Sequence, residues 1–273
     1  MNTKQPQILL TNDDGIRSPG LWAAAEALSA IGFVHVAAPR EQFSGAGRSL
    51  PITSDGEIEK QIMEVNGQRW DVYAIGGSPA QAVLHGVLDI LPVKPDLVVS
   101  GINYGENLGH SILSSGTVGA AFEAASIGIK ALAASLELED GAGYLEHSTE
   151  VDFSTAAFFT ARFAHLLLER QMPADVDLLK IDIPFEATPA TPWRVTRQGK
   201  HRYFAPFPGT RRAFSDTSKY MDVHLAIRPE DVPPDSDIHT MVFDRMVAVT
   251  PLSLDLTARV NLADLDQQLH KFT

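Results

Sequence analysis

The chain has 273 residues, 44% hydrophobic and 21% charged, enough apolar material for one large domain or two. Its 22 basic residues against 34 acidic ones leave a net charge of −12, which argues against non-specific binding to a nucleic-acid duplex. A small phosphorylated ligand stays open, because a metal ion can supply the missing positive charge. With no cysteine, disulfides, Cys-ligated zinc, Fe–S clusters and thiol nucleophiles are excluded.

In chain order, Ile8–Leu10 reads as a strand, and Ser18-Pro19 opens a helix by a cap followed by proline, running to Ile31 and stopping at Gly32. Val34–Ala38 is a second strand, and after a polar loop Thr53–Val65 has strand character up to the turn Asn66-Gly67. Trp70–Ile75 is a further strand, and Ser78-Pro79 opens a helix through Leu91. The continuous run Asp96–Ser100 is expected of a strand buried on both faces. Thr117–Gly128 reads as helix, Ala131–Leu136 as strand, Phe153–Arg170 as a long helix and Leu178–Ile183 as a strand ended by Pro184. Strands alternating with helices imply an α/β fold, a doubly wound and mostly parallel sheet.

Beyond Pro184 proline becomes frequent, with short strand candidates at Val223–Ile227 and Met246–Thr250 and a helical tail over Leu262–Leu269. The expected organisation is a catalytic core over residues 1–184 and a C-terminal arm over 185–273 that completes the fold and the oligomer interface. The N-terminus has no signal-peptide apolar region, and no stretch approaches the ~20 apolar residues of a membrane span, so the expected location is cytoplasmic and soluble.

Chemistry concentrates where strands end. Asp13 and Asp14 follow the first strand directly, at the edge where open parallel sheets bind ligands. Adjacent carboxylates repel each other and are stabilised by a bridging cation; a solvated acidic turn is the alternative. Ser44, in Phe43-Ser44-Gly45-Ala46-Gly47, and Asn103, in Ser100-Gly101-Ile102-Asn103, leave strands at the same predicted edge. Together with Asp13 and Asp14 they form an all-oxygen set suited to Mg²⁺ or Mn²⁺, unless Ser44 and Asn103 are only turn residues. Asn107-Leu108-Gly109 and Ser114-Ser115-Gly116-Thr117 precede the helix near Thr117, whose free amides form a phosphate cradle; capping of that helix is the plain alternative. P-loop, dinucleotide-fingerprint, nucleophile-elbow and His-Glu-x-x-His motifs are all missing from the sequence.

Ile-Leu-Leu-Thr-Asn-Asp-Asp-Gly at 8–15, Ser44-Gly45, Ser100-Gly-Ile-Asn103 with Asn107-Leu-Gly109, and Ser115-Gly-Thr-Val-Gly-Ala-Ala121 resemble the SurE (survival protein E) family. So does Val249-Thr-Pro-Leu-x-Leu-Asp-Leu-Thr257 near the end. The resemblance implies a Rossmann-like core and a metal-dependent phosphatase acting on nucleoside monophosphates, with the choice of 5′ or 3′ phosphate and action on short polyphosphate left open. It implies one divalent ion per subunit at Asp13, Asp14, Ser44 and Asn103, and phosphate contacts at Asn107, Ser115, Gly116 and Thr117. It also implies a homodimer or homotetramer with exchanged C-terminal hairpins and tails.

The chain departs from the family pattern at His110-Ser111, where an acidic residue is usual, at Gln81, and at Lys180 and Asp182, where the pattern has two asparagines. The expected reaction is phosphomonoester hydrolysis, with Asp13 or Asp14 as the base toward water or, alternatively, as the nucleophile of a covalent aspartyl-phosphate. The alternative is a non-catalytic nucleotide-binding or receiver-like signalling module. Receivers also need a further Asp at the end of a middle strand and a Lys after a late one; here the middle strand ends in Ser100-Gly101 and Lys180 lies at a strand start.

Overall fold

Ile8 and Leu10 point one way from the first strand and Leu9 the other, and all three are completely buried, so both faces of that strand need cover. The computed structural model describes residues 5–139, 150–207, 213, 222–225 and 227–271. Its strands are β1 (Gln7–Thr11), β2 (Phe33–Pro39), β3 (Ile58–Val65), β4 (Gln68–Ile75), β5 (Leu97–Tyr104), β6 (Ala131–Leu136), β7 (Leu178–Ile183), β8 (Trp193–Val195), β9 (Phe204–Phe207), β10 (Asp222–Leu225) and β11 (Val247–Leu252). Its α-helices are α1 (Pro19–Ser29), α2 (Pro79–His85), α3 (Gly116–Ser126), α4 (Ser154–Glu169) and α5 (Leu262–His270).

One nine-stranded sheet runs in the order β3-β4-β2-β1-β5-β6-β7-β11-β8. The strands from β4 to β7 are mutually parallel, whereas β3 and β11 run antiparallel to their neighbours β4 and β7. Side chains alternate between two cores. Leu97, Val99, Leu132 and Ala134 join α1 and α4 on one face, and Val98, Ala131 and Ala133 join α3 on the other. This is the mostly parallel, doubly wound α/β sheet that the alternation of elements predicts. A third core, around Leu108, Tyr203, Ile238 and Met241, ties the loop after β5 to the C-terminal half.

Several boundaries differ from the sequence reading, each for a local reason. Strand β3 begins at Ile58, because the preceding residues fold into turns. Asn66 and Gly67 take φ of 50° and 75°, the left-handed pair that makes a tight hairpin between β3 and β4. Helix α2 gives way after His85 to a wider turn, Gly86–Ile90, closed by Leu91 N–H donating to the Gly86 carbonyl at 2.9 Å. Its start is a reciprocal cap, with Gln81 N donating to the Ser78 hydroxyl at 3.2 Å and Ser78 N to the Gln81 side-chain Oε1 at 2.9 Å. Ser18 sits at the N-cap of α1 but makes no side-chain cap bond. The tail helix α5 forms where expected and leaves Leu262, Leu265 and Leu269 exposed.

Candidate functional site

Strand order reverses between β1 and β5, since β2 lies on one side of β1 and the later strands lie on the other. A crevice opens at the carboxyl ends of strands at such a point, and the Asp13–Asp14 turn sits there. The Asn12 side chain closes that turn, donating to the Gly15 carbonyl at 3.0 Å and accepting from Gly15 N at 3.1 Å. Asp13 and Asp14 are only 5% and 1% exposed, so the solvated-turn alternative does not describe them.

Asp13 is seated on the N-terminus of α3. Its Oδ1 accepts a hydrogen bond from the Thr117 hydroxyl, and the Gly116 and Thr117 amides also favour its charged form. Only glycine fits at 116, because a Cβ there would lie 2.7 Å from the Asp13 Cβ and 2.8 Å from its Oδ2. Asp14 Oδ2 accepts from Tyr104 N at 3.1 Å, and its Oδ1 from Gln42 Nε2 at 3.3 Å. Burial raises the Asp13 pKa, and burial together with the charge of Asp13 raises that of Asp14 well above the usual carboxylate range.

Asn103 arrives by an irregularity in β5, where the register with β6 shifts between Ser100 and Asn103. Gly101 makes this possible at φ 133°, with the position of its absent Cβ only 2.4 Å from the Ala134 carbonyl oxygen. The Asn103 amide nitrogen donates to the Tyr104 and Gly105 carbonyls at 3.2 and 2.6 Å, which turns Oδ1 toward the Thr117 hydroxyl, 3.3 Å away. The Ser44 loop is fastened to the same place, as Phe43 N donates to the Asp13 carbonyl at 2.7 Å and Gly47 N to the Ser114 carbonyl at 2.9 Å. Arg48 secures the loop to α3 through Glu123 at 2.6 Å.

The residues expected around phosphate divide. The Ser115 hydroxyl caps α3 by accepting from Val118 N at 3.1 Å, which is the plain alternative for that residue. The Thr117 hydroxyl and the first amides of α3 face Asp13. Asn107 lies one loop away, its amide nitrogen donating to the Ser135 hydroxyl at 2.9 Å.

Two buried carboxylates, an amide oxygen and a nearby serine form a hard-oxygen set short of positive charge, and these residues fit a divalent ion of the Mg²⁺ or Mn²⁺ kind. Among the described residues no group of three or more His, Cys, Asp or Glu side chains could hold a metal, so neutral oxygens must complete any shell.

Sequence reasoning missed Gln42, the Tyr104 amide and Asp237 as parts of this region. Lys180 and Asp182, noted only as departures, carried a usable signal: two charges two residues apart on a strand buried on both faces share one side and need partners.

The model of the survival protein SurE family matches residues 8–205. The chain is similar to the 5′-nucleotidase SurE of Methanosarcina mazei, 39% identical over 97% of this chain and 98% of that protein. That of Thermococcus gammatolerans is 40% identical over 96% of each. Among solved structures, the SurE protein from Aquifex aeolicus superposes with a TM-score of 0.70 at 31% identity, covering 98% of this chain and all of that one. By family model, sequence and architecture, this chain belongs to the survival protein SurE family.

Proposed function

We propose that this chain is a metal-dependent 5′-nucleotidase that hydrolyses nucleoside 5′-monophosphates to nucleoside and phosphate, with 3′-monophosphates and short polyphosphate as further substrates. The observation that carries this reading is the adjacent, buried Asp13–Asp14 pair at the sheet's reversal point. The name 5′-nucleotidase SurE borne by relatives 39% and 40% identical over nearly the whole chain supports it.

Asp13, Asp14, Asn103 and Ser44 hold one Mg²⁺ or Mn²⁺ ion. When bound, that ion offsets phosphoryl charge and makes water more acidic. Asn107 directs its side chain to a phosphate oxygen, and the start of α3 from Ser115 to Thr117, whose Gly116 and Thr117 amides already hold Asp13, faces the same anion through the helix dipole. Thr117 holds Asp13 in place. One carboxylate of the pair, Asp13 or Asp14, accepts the proton of the attacking water.

We also place the exposed leucines of α5 at an interface with a second copy of this chain, in a dimer or tetramer that exchanges C-terminal elements. Among the described residues no helix is long and apolar enough to cross a membrane, which is consistent with a cytoplasmic enzyme.

The test is phosphate release from 5′- and 3′-nucleoside monophosphates with Mg²⁺, Mn²⁺ or EDTA, for wild type and Asp13→Asn. Release that needs metal and falls on the order of a hundredfold in the variant is the expected result. Equal release in EDTA, or full activity of Asp13→Asn, contradicts the proposal.

A further inference from the structure

Lys180 and Asp182 project from one side of β7, and both are completely buried. They pair with each other, and the Lys180 ammonium lies 3.3 Å from a second buried carboxylate, that of Asp237. An ion cluster of this kind is an uncertain source of stability, because removing charges from water offsets most of their attraction. What sets it apart is where its remaining hydrogen bonds go. Asp182 Oδ1 accepts from Asn107 N at 2.7 Å, the Lys180 ammonium donates to the Asn107 carbonyl at 2.8 Å, and Asp237 Oδ2 accepts from Gly109 N at 3.1 Å. Both sides of one residue's backbone are therefore held by one ion pair.

The side chain of Asn107 is held by the neighbouring strand. Ser135, its hydrogen-bond partner on β6, is the register partner of Asp182 on β7. Asp237 brings in the C-terminal half, since its Oδ1 accepts from Gly199 N at 2.8 Å and Ile238 N at 2.9 Å. We propose that Lys180, Asp182 and Asp237 are positioning residues that set Asn107 against the substrate phosphate and tie its placement to the packing of the C-terminal half. This rests on the nucleotidase reading, in which Asn107 contacts phosphate. The cluster itself touches the backbone of Asn107, so it acts on phosphate only through that residue.

The experiment measures inorganic phosphate affinity by calorimetry in the presence of Mn²⁺, together with KM and kcat for 5′-AMP and the affinity for Mn²⁺ alone. The variants are Lys180→Met, the charge-balanced Lys180→Met/Asp182→Asn, Asn107→Ala, and Lys180→Met/Asn107→Ala. Phe163→Leu, in the α4 core, serves as a control for general loss of stability. A small displacement of a positioned group costs on the order of tenfold to a hundredfold, so phosphate affinity should fall and KM should rise by that factor in both Lys180 variants, with Mn²⁺ affinity retained. In the Asn107→Ala background, Lys180→Met should change phosphate affinity by less than about twofold, because the two residues act in series. Unchanged phosphate affinity in folded Lys180 variants, or full additivity with Asn107→Ala, overturns the proposal. A wild type that binds phosphate but releases none from 5′-AMP overturns the nucleotidase reading, and the phosphate arm still decides the positioning role. A wild type that releases phosphate from 5′-AMP yet binds no inorganic phosphate keeps the nucleotidase reading and overturns the positioning role.

Discussion

The Thr117 hydroxyl donates to Oδ1 of Asp13 across 104 residues of sequence, joining the turn after β1 to the first turn of α3. Asn103 Oδ1 lies 3.3 Å from the same hydroxyl, so one short side chain sits between the acidic pair and the amide oxygen that completes the donor set. Thr117→Val keeps the shape and removes the donor. It should lower kcat/KM for 5′-AMP on the order of tenfold or more while costing about 1 kcal/mol of stability, and Thr117→Ser should restore most of the activity. Steady-state kinetics with parallel denaturant titrations checks this.

Gly116→Ala places a methyl 2.7 Å from the Asp13 Cβ. Neither backbone can yield without moving Asp13 or the start of α3. The expected cost is about 1–3 kcal/mol in urea unfolding, with Mn²⁺ affinity weakened in the protein that remains folded. An unchanged midpoint and unchanged Mn²⁺ affinity would show that the helix start accommodates the methyl.

The Ser44 loop can be displaced without touching Ser44. A Cβ at Gly119 would lie 2.3 Å from the Gly47 carbonyl oxygen. Gly119→Ala should push the loop away from Asp13 and weaken Mn²⁺ binding on the order of tenfold, read by calorimetry. Retained affinity would remove Ser44 from the metal set.

Glu106, next to Asn107, has its pKa pushed up from 4.5 to about 7, first by burial and then by the charges of Glu137 and Asp182. The folded protein therefore keeps a proton there that the unfolded chain releases between those values. Stability from this group is complete below about pH 4.5, falls as pH rises toward 7, and stays flat above it. Glu106→Gln should remove this decline, so its stability relative to wild type should be greater at pH 8 than at pH 5 by about 3 kcal/mol. Identical pH dependence in wild type and variant, measured by urea unfolding, would contradict the assignment.

Much of this architecture is legible because its strands are continuous apolar runs. Leu-Val-Val in β5 and Ala-Leu-Ala-Ala in β6 are buried on both faces and admit no other placement once helices alternate with them. Strand β8 escaped because it has three residues, two of them exposed, and so carries no pattern of its own. The insertion of β11 beside β7, antiparallel to it, depends on packing far along the chain that no local propensity encodes. That Asp13, Asp14, Asn103 and the Ser44 loop come together was legible because glycines and strand ends mark their loops. Asp237 was not, since it meets Lys180 across 57 residues and lies in a segment with no strand signal. The part played by Thr117 was also hidden: a hydroxyl at a helix start reads equally as a cap, a phosphate contact or a partner for a carboxylate, and only the fold brings Asp13 to it.

The buried acidic pair is proposed here as a divalent-cation site. It is tested most directly by titrating Mn²⁺ into the protein and following free Mn²⁺ by electron paramagnetic resonance, for wild type and Asp14→Asn. One tight Mn²⁺ per wild-type chain and a loss of affinity on the order of a hundredfold in the variant are expected. Equal binding by the two proteins, or no binding by folded wild type, would contradict it.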